Sequence, residues 1–164
     1  MTAVVGAFGK LSTFGSGEYG ILGHGDREDH CLPQIVRGPL TSLKVSVAVA
    51  GRHHCLCITD DGSLYSWGGA AKGQLGHGDS AARLEPARVE ALSAAGHVVQ
   101  CGCGVEHSAA LTSSGHLYTW GLNSFGQLGV GDLRNRPLPT HLDHPAVYDP
   151  SDPNGVVVEI SLGT

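Results

Sequence analysis

The stretch Trp67-Gly68-Gly69-Ala70-Ala71-Lys72-Gly73-Gln74-Leu75-Gly76-His77-Gly78-Asp79 returns, 53 residues further on, as Trp120-Gly121-Leu122-Asn123-Ser124-Phe125-Gly126-Gln127-Leu128-Gly129-Val130-Gly131-Asp132. The same step backwards meets Phe14-Gly15 and Gly20-Ile21-Leu22-Gly23-His24-Gly25-Asp26, with Phe for Trp and Ile for Gln. Pro33, Pro86 and Pro139 keep that spacing, as do Leu11, Leu64 and Leu117, and Gly51-Arg52-His53-His54 answers to Gly104-Val105-Glu106-His107. The 164 residues include 25 glycines, and most of these fall in phases that recur once per unit, so neither collagen nor simple disorder accounts for them.

Between the glycine motifs stand short apolar or alternating runs of strand length bounded by turn residues, which predict β-structure. In the second unit they are 34–36, 45–49, 55–59 and 64–67. Val45, Val47 and Val49 alternate with Ser46 and Ala48, whereas Cys55-Leu56-Cys57-Ile58 is apolar on both faces, as in a strand covered on two sides. Asp60-Asp61-Gly62-Ser63 and Ser113-Ser114-Gly115-His116 read as hairpin turns. Four strands repeated about every 50 residues are the signature of a propeller blade. The expected fold is all-β, a partial β-propeller of three four-stranded antiparallel blades. The single domain 1–164 divides into an incomplete first unit 1–32, a second unit 33–85, a third unit 86–138 and the start of a further unit at 139–164.

The letters discriminate among repeat families. A step of 53 ending in Trp-Gly differs from the shorter repeats that close on Trp-Asp. The succession Gly-x-x-His-Ser/Cys, Thr-x-x-Gly-x-Leu-Tyr-x-Trp-Gly and Gly-Gln-Leu-Gly-x-Gly-Asp, followed almost completely by 51–79 and 104–132 and in its second half by 9–26, closely resembles the regulator of chromosome condensation repeat. That resemblance implies a β-propeller, usually of seven blades, with His54 and His107 as the family's repeated, buried, hydrogen-bonding histidine. It also implies two activities known in the family: guanine-nucleotide exchange on a small Ran-like GTPase, and partner recruitment as a module of larger HECT-type ubiquitin ligases. Three units cannot close such a ring, and open sheet edges invite pairing with remaining blades or self-association.

Composition narrows the function. Ten Lys+Arg against 15 Asp+Glu give net −5 with no basic cluster, which excludes direct nucleic-acid binding as the expected role. No apolar run reaches membrane-spanning length and residues 1–10 lack a signal-peptide pattern, so an intracellular chain, cytoplasmic or nuclear, is expected. The odd cysteine number, five, argues for free thiols. Cys55-x-Cys57 and Cys101-x-Cys103 supply enough sulfur for zinc, but their spacing departs from the repeat and places them on different strands, so no metal is expected.

The glycine loops lack the strand-before, helix-after context of a dinucleotide fingerprint. Their role is read as structural, with Gly23, Gly76 and Gly129 bending the backbone and Asp26, Asp79 and Asp132 bonding to nearby amides. Trp67 and Trp120 are read as equivalent core positions. No nucleophile–base–acid arrangement is visible, so no catalytic residue and no cofactor is assigned. Individuality lies where the repeat breaks, in a six-residue gain between Leu142 and Val156. Asp143, His144, Tyr148, Asp149 and Asp152 in that loop, and Arg134 and Arg136 in the loop after the last glycine motif, are the candidate partner contacts. The function expected is a protein–protein interaction scaffold.

Overall fold

The computed structural model describes residues 1–144, 147, 157 and 159–163, in which eleven β-strands and three short 3₁₀ turns follow one another without an α-helix. Strands β1 (Thr2–Val5), β2 (Leu11–Gly15) and β3 (His30–Ile35) form the first sheet. Strands β4 (Val45–Ala50), β5 (His54–Thr59), β6 (Leu64–Gly68) and β7 (Arg83–Arg88) form the second, and β8 (Val98–Cys103), β9 (His107–Thr112), β10 (Leu117–Gly121) and β11 (Arg136–His141) the third. Every pairing is antiparallel and each sheet is a simple meander.

Two expectations need correction. The first sheet has three strands rather than four, because no residue of the chain stands at the phase of β4 and β8. The strand around Gln34 does not open the second sheet; it closes the first, with Ser12 opposite Ile35 and Thr13 opposite Gln34, while the second sheet ends on β7. Divisions at 33, 86 and 139 therefore cut through β3, β7 and β11. A repeat period fixes spacing but not where pairing begins. The prolines of these strands are tolerated because each strand is the outer edge of its sheet, with one neighbour only.

Strand β5 explains how the sheets stack. Its alternate side chains leave opposite faces: Cys55 and Cys57 join Leu11, Ile21, Leu22, Val36 and Trp67 in one core, and Leu56 and Ile58 join Leu64, Val98, Ala110 and Trp120 in the next. A strand apolar on both faces is thus one sandwiched between two neighbouring sheets. Opposite the outer strand, the pairing register shifts at Phe14, Trp67 and Trp120 alike, so the same bulge recurs in each sheet and aims the same position.

Candidate functional site

The glycine loops of the first two sheets each reach the next sheet, where one backbone carbonyl accepts the neighbour's indole N–H and a glycine amide bonds to its outer strand. Ile21 O accepts the indole N–H of Trp67 at 2.7 Å, and Gln74 O accepts that of Trp120 at 2.8 Å. Both indoles are fully buried. The loop can come this close because Gly23 and Gly76 have no Cβ and positive φ, +76° and +81°; a Cβ on either would stand 2.9 Å from the indole nitrogen. Gly129 shares the conformation at +71° and faces Leu142 instead.

A second donor reaches the same carbonyl. Ser108 Oγ donates to Gln74 O at 2.8 Å and so must accept from His54 Nε2, 2.9 Å away. His54 therefore carries a proton on Nε2. Its Nδ1 is buried with no hydrogen-bond partner, and burial, reinforced by His107, pulls its pKa down to about 4, which leaves the ring neutral. At the first junction sulfur replaces the set: the single S–H of Cys55 has Ile21 O at 3.6 Å and Met1 Sδ at 3.3 Å as its alternative acceptors. His107, half-exposed and in the phase of His54, faces an open cavity of about 740 Å³ lined also by Leu117, Gln127, Leu128, Leu142 and Ile160.

Inside each sheet the loop is tied down a third way. Thr13, Ser66 and Thr119 donate their hydroxyls to Leu22 O, Leu75 O and Leu128 O at 2.6, 2.7 and 2.8 Å. His24 and His77 donate to the first two hydroxyls, and burial lowers the pKa of both. Asp26, Asp79 and Asp132 accept the amide two residues on, from Glu28, Ala81 and Arg134. Burial raises the thiols of Cys55, Cys57, Cys101 and Cys103, Cys101 to about 12, and keeps them protonated in the folded core.

Three of the candidate contacts meet on one surface. Arg136, Asp143 and His144 line a cleft of about 410 Å³ together with 129–131 and Thr140. Arg136 is held there by its own loop: it pairs with Asp132 at 2.7 Å and donates to Arg134 O at 3.1 Å. That pairing, with the Arg134 amide, holds the Asp132 carboxyl below its ordinary range. Arg134 gives its backbone to Asp132 and keeps an exposed side chain outside the cleft lining. Tyr148, Asp149 and Asp152 lie outside the described residues.

Two strongly exposed aromatics, Phe8 and Phe125, were not among the candidate residues. Phe125 is 88% exposed at the tip of the third glycine loop, in the phase of Tyr19 and Lys72. The signal was present, since one repeat position carrying Tyr, Lys and Phe in turn is a position the fold does not constrain.

Stacked antiparallel sheets joined through a repeated loop-to-indole hydrogen bond define a run of β-propeller blades. The regulator of chromosome condensation repeat model matches residues 9–58, 61–111 and 114–164, and the chain belongs to that family. It is 41% identical over 144 residues to the ultraviolet-B receptor UVR8 of Arabidopsis thaliana, covering 88% of this chain and 32% of UVR8. It is also 41% identical over 131 residues to the human E3 ubiquitin-protein ligase HERC2, covering 79% of this chain and 3% of HERC2. Prp20p from Saccharomyces cerevisiae, a protein described for its binding to Gsp1p and histones, superposes with a TM-score of 0.73 at 26% identity, over 84% of this chain and 35% of Prp20p. The chain thus spans about a third or less of each of these relatives.

Proposed function

We propose that this chain contributes a protein-binding surface and performs no chemistry of its own, with the contact centred on the third blade. The observation that carries this reading is the meeting of Arg136, Asp143 and His144 along one cleft of mixed charge. Trp67, Trp120, His54 and the loop aspartates serve blade-to-blade or intraloop hydrogen bonds, and Arg136, in the phase of Arg83, is itself tied to Asp132, so Asp143 and His144 are the lining residues that depart from the repeat. Stacked repeats supply broad surface without reactive groups. Arg134 and the loop 143–154, with Tyr148, Asp149 and Asp152, extend the proposed contact, and the remaining blades of a larger ring or a second copy are proposed to cover the open face beside His107. The free thiols support an intracellular setting, cytoplasmic or nuclear, and no described helix is long and apolar enough to cross a membrane.

Two narrower roles draw on the relatives. Prp20p, described for binding Gsp1p, supports a small GTPase as the partner and nucleotide exchange as the consequence. HERC2 supports a recruiting module within a larger ubiquitin ligase. The test is capture with the native loop against a chain whose 143–154 segment is replaced by Gly-Ser, followed by nucleotide-release assays on small GTPases. Loss of capture with unchanged nucleotide release is the expected result. Capture that survives the replacement makes the loop a spacer, and accelerated release makes the chain an exchange factor.

A further inference from the structure

The three glycine loops end on the same carboxylate but are stapled by different cations. Arg83 reaches Asp79 Oδ2 at 2.7 Å and donates to Ala81 O at 2.7 Å; Arg136 reaches Asp132 Oδ2 at 2.7 Å and Arg134 O at 3.1 Å. In the first loop the residue at that phase is His30, whose Nε2 stands 3.7 Å from Asp26 Oδ1, buried and without a hydrogen-bond partner. The arginine staples are charged at every physiological pH, whereas an imidazole carries a proton only on the acid side of its titration. We propose that His30 is a proton-gated staple: protonated, it closes onto Asp26 as Arg83 and Arg136 close onto theirs, and neutral, it leaves the Asp26 carboxylate bonded to the Glu28 amide without a cation.

The surroundings permit this gating and set its sign. His24 stacks edge-on against His30 with ring centroids 4.8 Å apart, and it stays neutral because burial and the His30 charge both lower its pKa. Asp26 is the anion opposite; Arg27, Glu28 and Asp29 complete the loop, Arg37 acts on His24 from beyond β3, and Glu85 lies against Gly25 from the second sheet. The loop stapled is the one that joins the first two blades, through Gly25 N to Leu84 O at 3.0 Å and the carbonyl of Ile21. It also walls the open cleft of Ser16, Glu18, Tyr19, Arg27 and Asp29. The staple needs a proton on His30, so this junction and cleft edge firm up on mild acidification while the two arginine-stapled loops do not change.

Amide hydrogen exchange on the whole chain tests this, because the other loops are controls within one molecule. The Glu28 amide, measured against those of Ala81 and Arg134 and corrected for intrinsic rates, is expected to gain about two- to fivefold protection between about pH 8 and about pH 5.5, the size of a partly exposed ion pair. In His30→Arg the ratio is high and flat with pH, and in Asp26→Asn, which keeps an acceptor for Glu28, it is low and flat. A flat ratio in the native chain, or the same pH change persisting in either variant, overturns the proposal. Should His30→Arg fail to fold, the native chain and Asp26→Asn decide it.

Discussion

Replacing Gly76 and Gly131 by alanine separates the cost of an unusual backbone from the cost of a lost blade contact. The two glycines share one conformation, φ +81° and +83°, so an alanine at either carries the same left-handed penalty of about 1 kcal/mol. At Gly131 nothing lies within 4 Å of the added Cβ, and the penalty ends there. At Gly76 the Cβ falls 2.9 Å from Trp120 Nε1 and 3.3 Å from both Trp120 Cδ1 and Pro139 Cδ. The indole must retreat from Gln74 O, weakening a buried hydrogen bond worth about 1 kcal/mol and straining a packed core by about 1 kcal/mol or more. Gly76→Ala is therefore expected to cost about 3 kcal/mol against about 1 kcal/mol for Gly131→Ala. Urea unfolding followed by tryptophan fluorescence measures both, with Trp67 and Trp120 as the only tryptophans of the chain. Equal losses within about 0.5 kcal/mol would refute the idea that the glycine exists to admit the next blade's indole.

Other outcomes follow from the same junction. Ser108→Ala leaves His54 Nε2 without an acceptor and should destabilise by about 2 kcal/mol, while Ser108→Cys, copying Cys55 at the first junction, should cost clearly less in the same urea titration. Burial pulls the His54 pKa to about 4 in the folded chain against 6.5 when exposed, so the unfolded state binds more protons between those values and stability falls as pH drops from about 6.5 towards 4; His54→Gln should remove about 3 kcal/mol of that descent and leave the part owed to His24, His77 and His107, whose pKa values burial also lowers. Arg136→Ala removes a half-exposed ion pair and should change stability by less than about 1 kcal/mol, so any larger loss of partner capture reports on binding.

Much of this architecture was legible because a blade needs particular side chains where blades touch. Trp67 and Trp120 recur because each inserts an indole under a neighbour's carbonyl, and Gly23 and Gly76 recur because nothing larger fits beside them. The phase of the sheets was not legible. Pro33 and Pro86 looked like boundaries, yet an outer strand needs only one hydrogen-bonding side, so proline sits within β3 and β7. The candidate surface was half legible: Asp143 stood out where the repeat breaks and Arg136 as a charged residue after the last glycine motif, and only the course of β11, which Arg136 opens, shows that they share a cleft. That Arg136 is already paired with Asp132 could have been read from Arg83 and Asp79, four residues apart in the unit before.

The central claim, that this chain acts as a binding surface centred on the third blade, is tested most directly by quantitative capture with Arg136→Glu and Asp143→Lys combined, set beside Arg83→Glu in the equivalent loop of the second blade. Partners retained by the native chain should be lost from the third-blade variant and kept by the second-blade one. Equal retention by both variants, with each still folded by circular dichroism, would contradict the account.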